Sequence, residues 1–338
     1  MTPLNFGLIG FGYWGPNLAR NFGSQEGCAV SWICDLSPAR QKQAALSWPA
    51  AKATGRLDDV LEDPNVHAVL IATPVSTHYE IAKRAIEAGK HVFIEKPMTH
   101  TSEEAASLIE LAEKHNRVLA VDHTFLFTGA VRKMKEMLDS GELGEVLYFD
   151  SVRINLGLFQ HDINVLYDLG PHDLSIADHL FPARPVALRA MGACHCGQQH
   201  ENLVYLHLEF EGGMVAHFHW NWLAPVKIRH TLLCGTKKMI VYDDMAASEK
   251  LKVYDKGIVV SQLDQASLTQ FRVDYRVGDM IAPKLDQREA LAVEAAHFVD
   301  CVRNGKRPLA DGHAGRRVVR MLEAAQESLK KGGERIVL

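Results

Sequence analysis

The chain has 338 residues, 47% hydrophobic and 23% charged, with a formal net charge of −4. This is an ordinary globular composition with length enough for two domains, each with its own core. It lacks the basic excess that would hold a nucleic-acid backbone or an anionic membrane, and no apolar run approaches a membrane span. Met1-Thr2-Pro3-Leu4-Asn5 has neither the basic segment nor the apolar core of a secretion signal, and only Cys194 and Cys196 of six cysteines are close. Reduced thiols in a cytoplasmic protein are expected.

The apolar segment Leu4 to Ile9 predicts a strand, which enters Gly10-Phe11-Gly12-Tyr13-Trp14-Gly15, a G-x-G-x-x-G pattern. A helix follows with Leu18, Ala19 and Phe22 on its inner face, and a second strand, Ala29 to Cys34, ends in Asp35. Each part suits a dinucleotide. Gly10 permits the tight turn, Gly12 the approach of a pyrophosphate, and Gly15 close packing of helix on strand. The helix N-terminus offers unpaired N–H groups to the phosphates. Asp35 is suited to accept hydrogen bonds from adenosine ribose hydroxyls, which favours NAD over NADP. Arg40 lies close in sequence and can neutralise a 2′-phosphate, stack on the adenine or remain solvated.

The alternation continues through a short helix, Leu57 to Leu61, and a strand, Ala68 to Ala72. The polar turn Thr73-Pro74-Val75-Ser76-Thr77-His78 leads into a helix from Tyr79 to Ala88. Another strand, His91 to Ile94, runs into Glu95-Lys96-Pro97. Strand, helix and strand make a βαβ unit, and in such a sheet ligands sit beyond the carboxyl ends of the strands. A helix capped at Thr101 or Ser102 and a strand from Val118 to Val121, ending in Asp122-His123, complete this half. After the helix Gly129 to Leu138, strands follow one another: Val146–Ile154, Val186–Cys194, Leu203–Phe210, Met214–Trp222, Arg229–Cys234 and Met239–Tyr242. They predict a mostly antiparallel sheet. The expected division is a Rossmann domain over 1–123 and an α+β domain over 124–338. Two amphipathic helices end the chain, one over 288–303 carrying Leu291, Ala295, Phe298 and Val302, the other capped by Asp311.

One helix interrupts the second domain's strands, within Ile163 to Leu180. It carries Asp168-Leu169-Gly170-Pro171-His172-Asp173, with Asp168 and His172 at i and i+4. Pro171 predicts either a kink or break beside a placed catalytic group, or a helix start with His172 merely exposed.

Gly10-x-Gly12-x-x-Gly15, Ala72-Thr73-Pro74 with His78, Glu95-Lys96-Pro97 and Asp168-x-x-x-His172 together resemble the glucose-fructose oxidoreductase/inositol dehydrogenase (Gfo/Idh/MocA) family. The resemblance spans the chain. It implies a Rossmann domain followed by an α/β domain with a large, open-faced, mostly antiparallel sheet, and oligomers that use the open face. It makes Lys96 a catalytic lysine at the reacting hydroxyl, His172 the acid/base and Asp168 its partner. Thr73, Pro74, His78 and Glu95 would line the cofactor with the glycine loop. The residue types suit the chemistry: imidazole exchanges protons near neutrality, and an ammonium stabilises a forming alkoxide.

Segments 151–159, 164–175, 222–229 and 235–239 resemble the family's nucleotide-sugar branch, the UDP-N-acetylglucosamine 3-dehydrogenases. In that branch the 3-ketosugar passes to a pyridoxal-phosphate aminotransferase. This likeness implies substrate contacts from Lys96, Arg153, Asn155, Asn164 and His172. Lys227, Arg229, Lys237 and Lys238 are further cations for a diphosphate. The chain departs from the branch's usual Thr-Pro-Ala at Thr128-Gly129-Ala130 and has Gly170 where alanine is common.

The expected activity is NAD-dependent oxidation of a nucleotide-sugar 3-hydroxyl. The alternatives are a dehydrogenase of free sugars, inositols or glycosides, and an NAD-binding metabolite sensor, which would be expected to lose Lys96, Asp168 and His172. Seventeen histidines raise a metal hypothesis around His161, Cys194, Cys196, His200, His217 and His219, but none has the paired spacing of a structural zinc site. No metal is expected. Met214, Ala216, Phe218, Trp220 and Trp222 alternate along one strand, predicting one face on helices and the other, with His217 and His219, on a partner subunit in a dimer or tetramer.

Overall fold

The computed structural model describes residues 3–157, 163–260 and 273–338. His161 and the last two residues of the segment 151–159, named above, lie outside the described residues. The chain divides into two compact units, Met1–Thr128 with Arg288–Glu323, and Gly129–Gln287 with Ala324–Leu338.

The first unit is a six-stranded, wholly parallel sheet. Its strands are β1 (Leu4–Ile9), β2 (Cys28–Cys34), β3 (Lys52–Thr54), β4 (Ala68–Ile71), β5 (His91–Ile94) and β6 (Leu119–Val121), in the order β3-β2-β1-β4-β5-β6. The helices are α1 (Gly15–Gly23), α2 (Pro38–Ser47), α3 (Leu57–Leu61), α4 (His78–Glu87) and α5 (Ser102–Lys114). Strand order reverses between β1 and β4, the switch point at which such sheets bind ligands. Every residue of β4 is buried, as a parallel strand covered on both faces requires. Val69, Ile71, Val92 and Ile94 pack with Ala82, Ile86, Leu108 and Val319. Phe6, Leu8, Leu70 and Phe93 pack with Leu18, Phe22, Leu291 and Phe298. The α5 start is a full capping box, Thr101 with Glu104.

Leu291 and Phe298 belong to α8 (Ala290–Asn304), and Val319 to α9 (Gly312–Lys330), with α6 (Gly129–Asp139) and α7 (Val165–Leu180) between α5 and these in the chain. The compact units thus differ from a contiguous division at 123/124, since residues 288–323 group with the first unit. The apolar stripe of α8 fills the first unit's core, where Phe298 meets Phe22 and Phe93 edge-on at centroid distances of 5.8 and 5.4 Å. Helix α9 gives its residues up to Glu323 to the first unit and the remainder to the second.

The second unit is built on a nine-stranded sheet. Its strands are β7 (Val146–Leu156), β8 (Pro185–Ala193), β9 (Leu203–Phe210), β10 (Val215–Asn221), β11 (Leu223–Gly235), β12 (Met239–Asp243) and β13 (Leu251–Tyr254), and beyond a separate hairpin, β14 (Gly257–Val260) with β15 (Val273–Arg276), β16 (Met280–Ile281) and β17 (Ile336–Val337). The order is β16-β13-β12-β11-β7-β10-β9-β8-β17. All its pairs are antiparallel except β7 with β10. That exception follows from the path: the chain leaves β7, forms α7 and the β8–β9 hairpin, and returns beside β7 in the same direction. Alternation holds along β10 and its flanks, with Met214, Ala216, Phe218, Trp220 and Trp222 all buried. Helix α7 is one continuous helix with Pro171 inside it, so neither a break there nor a start at Pro171 is observed. Among the described residues no helix is long and apolar enough to cross a membrane.

Candidate active site

The first unit assembles its polar residues along one row. Ile9, Ile71, Ile94 and Val121 are abreast in adjacent strands, so Gly10, Ala72-Thr73, Glu95-Lys96 and Asp122-His123 all emerge at the same sheet edge. Gly10 has φ +93°, and a Cβ there would lie 2.5 Å from the Ala72 carbonyl oxygen. A Cβ on Gly15 would lie 2.3 Å from the Gly10 carbonyl oxygen. Both positions require glycine because backbone approaches backbone. Helix α1 starts without a side-chain cap, which leaves its N-terminal donors to an anion.

Asp35 organises this loop. Its carboxylate accepts from Phe11 N at 2.7 Å and from Ser37 N at 2.8 Å. The Arg40 guanidinium lies over the glycine loop, 2.7 Å from where a Cβ of Gly12 would stand. Tyr13 is 90% exposed, whereas Trp14 turns inward and donates Nε1–H to Asp122 Oδ2 at 2.9 Å. The loop thus has the bare backbone, uncapped helix and acid that a dinucleotide's pyrophosphate and ribose need.

On the other side of the switch point His78 is buried, and it binds two loops together. Its Nε2 is 2.8 Å from the Thr73 carbonyl oxygen and its Nδ1 3.0 Å from that of Pro97. Burial holds its pKa below the ordinary histidine value. One hydrogen bond therefore has the donor and the other lacks it in a neutral ring. His78 fixes the turns that present Thr73, Pro74 and Lys96. The Thr73 hydroxyl accepts from Thr77 Oγ1 at 2.8 Å. Lys96 N donates to Glu95 Oε2 at 3.0 Å, and the Lys96–Pro97 bond is cis.

Beneath the row lies a carboxyl cluster in which Glu95, expected at the cofactor, meets Asp122 and Glu294 of α8, neither of which was given a role from the sequence. Asp122 also accepts from Thr124 N at 3.3 Å and from the Thr124 hydroxyl, and Glu294 Oε1 accepts from His123 N at 3.1 Å. Burial, then the neighbouring Asp122, pushes Glu95 and Glu294 well above the usual carboxylate range, so both favour the protonated form. His123 is buried with no partner on either ring nitrogen among the described residues, and burial pushes it down to about 4. Two signals for this cluster were in the sequence. Strand β6 ends in an acid as β2 and β5 do, and Glu294 interrupts the apolar stripe between Leu291 and Phe298.

In the second unit, Asp168 and His172 lie one turn apart on α7. Asp168 Oδ2 accepts from Trp222 Nε1 at 3.1 Å. Arg153 and Asn164, expected as substrate contacts, are 4% and 5% exposed. Arg153 grips Asp173 through Nε and Nη2, the shortest contact being 2.7 Å. Asn164 caps α7 by accepting from Tyr167 N at 3.1 Å, and its amide donates to Glu201 and Gln326. Both were expected from the likeness to the nucleotide-sugar branch, and their described hydrogen bonds run to protein groups. Asn155 shares the Arg153 face of β7 and is half-buried. Of the other cations, Arg229 pairs with Asp244 and Lys238 with Glu142. Among the described residues no group of three or more His, Cys, Asp or Glu side chains is placed to hold a metal ion.

The carboxyl cluster sets a sign for stability against pH. Unfolded Glu294 releases its proton above about 4.5, whereas the folded group retains it to higher pH. The folded state then binds more protons, so this group's contribution is lost as pH rises through that window. Glu294→Gln, which mimics the protonated acid, should flatten the decline in chemical-denaturation midpoint as pH rises above 4.5. Parallel curves for variant and wild type would contradict this.

Two family models match the chain. Residues 4–123 match an oxidoreductase family with an NAD-binding Rossmann fold, and residues 131–241 match the GFO/IDH/MocA C-terminal domain. The chain is 29% identical over 334 residues to UDP-N-acetylglucosamine 3-dehydrogenase of Acidithiobacillus ferrooxidans, covering 94% of this chain and 95% of that one. A solved structure of that enzyme superposes with a TM-score of 0.83 at 26% identity over 98% of this chain and 99% of the other. Scyllo-inositol 2-dehydrogenase (NAD(+)) of Bacillus subtilis is 27% identical over 322 residues, 90% of this chain and 86% of the relative. The glycine loop, the acid-ended strands and the mixed second sheet are thus those of a known group, and the chain belongs to the GFO/IDH/MocA family of NAD-dependent oxidoreductases.

Proposed function

We propose that the chain oxidises the 3-hydroxyl of a nucleotide sugar, UDP-N-acetylglucosamine first among candidates, to the 3-ketosugar. The observation that carries this reading is similarity along essentially the whole length to a UDP-N-acetylglucosamine 3-dehydrogenase, in both sequence and fold. Bound NAD supplies the hydride acceptor. Gly10, Gly12, Gly15 and the α1 N-terminus receive its pyrophosphate, and Asp35 its adenosine ribose. Lys96 Nζ donates to the reacting hydroxyl and stabilises negative charge on that oxygen as its proton leaves. The His172 imidazole takes the proton, and Asp168 orients the ring. Arg153 and Asn164 act from behind, on α7, and Asn155 is the remaining polar contact for the sugar.

Full-length similarity to an inositol dehydrogenase supports a second reading, oxidation of a free polyol. Oxidation of a secondary alcohol by NAD is uphill near neutral pH, so a ketone-consuming aminotransferase is the fitting partner. The test supplies UDP-N-acetylglucosamine or scyllo-inositol with NAD, with excess aminotransferase drawing off ketone. NADH should form with the nucleotide sugar, and His172→Asn should lower its rate by ~10²–10⁴ without loss of NAD binding. Turnover of the inositol alone would favour the second reading.

We also infer assembly through the outer sheet face. Met191 and Tyr205 stand there 65% and 51% exposed, beside His207, His217 and Asp150. A large, partly apolar, unpaired face of this kind marks an interface. Light scattering at micromolar protein should report a dimer or tetramer, and a monomer would contradict the inference.

A further inference from the structure

Pro171 lies inside α7 and has no N–H to give to the carbonyl one turn earlier. The helix ladder is therefore weakened immediately before His172. The acids flanking that weak point, Asp168 and Asp173, are both bound from the sheet. Trp222 Nε1 donates to Asp168 Oδ2 at 3.1 Å, and Trp220 Nε1 donates to Asp173 Oδ2 at 2.7 Å. The spacings match: two residues along a strand span about 6.6 Å and five along a helix about 7.5 Å.

The indoles are themselves fixed. Trp220 lies opposite Arg153 in the parallel β7–β10 pair, and both grip Asp173. Its ring stacks on Phe218 at 5.3 Å. Trp222 presses on Gly157, where a Cβ would lie 2.4 Å from the indole Cδ1. Apolar burial alone would be served by leucine or phenylalanine. A buried indole N–H needs a partner, and here both partners are acids of one helix.

We propose that Trp222, supported by the Arg153–Asp173–Trp220 cluster, is a positioning residue that sets the register of the Asp168–His172 pair. The assignment rests on the reading of His172 as the base. Asp173→Asn is a poor test, because it weakens a bidentate hold on a buried guanidinium and probes folding instead.

The informative variant is Trp222→Phe, compared with Asp168→Asn and His172→Asn in the full-length protein. Two readouts are needed: kcat with UDP-N-acetylglucosamine and NAD, and the NMR titration of the His172 imidazole, identified by its loss in His172→Asn. Trp222→Phe should lower kcat about tenfold with KM for NAD within about twofold. It should also move the imidazole midpoint in the direction that Asp168→Asn moves it. If circular dichroism shows Trp222→Phe misfolded, the isosteric benzothienyl analogue at position 222, which keeps the ring and lacks the N–H, is read in the same way. Wild-type kcat and midpoint in the folded variant would overturn the proposal while leaving His172 as base. Full activity of His172→Asn would instead overturn the reading on which it rests.

Discussion

The first unit depends on one register. Ile9, Ile71, Ile94 and Val121 stand abreast in four parallel strands. A slip of one residue in any strand would turn its side chains to the wrong face and move its loop along the edge. Because the row is even, the glycine turn, the Thr73 turn, Lys96 and Asp122 all leave the sheet at one level. Apolar burial on both faces holds the register, and α8 contributes to it from the far end of the sequence. The helix that completes this core also delivers Glu294 beneath the edge.

That edge carries a cost. Three carboxyls close together in a desolvated place cannot all ionise, and the rise of Glu95 and Glu294 expresses this. Protonated acids serve as donors, and the Asp122 carboxyl accepts from Trp14 Nε1, Thr124 N and the Thr124 hydroxyl. The cluster thereby ties the glycine loop to the strand beside Lys96. The second unit uses related chemistry, with indole N–H groups on Asp168 and Asp173. In both units the groups nearest the expected chemistry are held by tryptophan–carboxylate bonds that are buried or partly so.

Much of this was legible in the residues. Short apolar strands ending in Gly10, Asp35, Thr73 and Glu95 identify a parallel sheet with a dinucleotide edge, because local period and punctuation suffice for that. The Thr101 cap, the alternation from Met214 to Trp222 and the Asp311 helix start were readable for the same reason. Strand neighbours far apart in sequence were not, so the parallel β7–β10 pair came only from the structure. Very short strands such as β3 and β17 carry too little pattern, and α2 buries only Ala44. Arg153 and Asn164 show what residue type leaves open: a cation and an amide suit a diphosphate sugar, and only the structure shows that they also hold Asp173 and cap α7. Conversely, Trp220 and Trp222 looked like plain core, since spacing reports a face and says nothing of where an indole N–H points.

The most direct measurement follows the transferred atom. UDP-N-acetylglucosamine carrying deuterium at C3 is incubated with the protein and NAD, with ketone removed as it forms, and the reduced cofactor is weighed by mass spectrometry. NADH heavier by one mass unit is the result expected of a 3-dehydrogenase that uses NAD as hydride acceptor. Unlabelled NADH formed at the same rate would place the oxidised carbon elsewhere, and no NADH from this sugar, with turnover of a polyol, would contradict the nucleotide-sugar assignment itself.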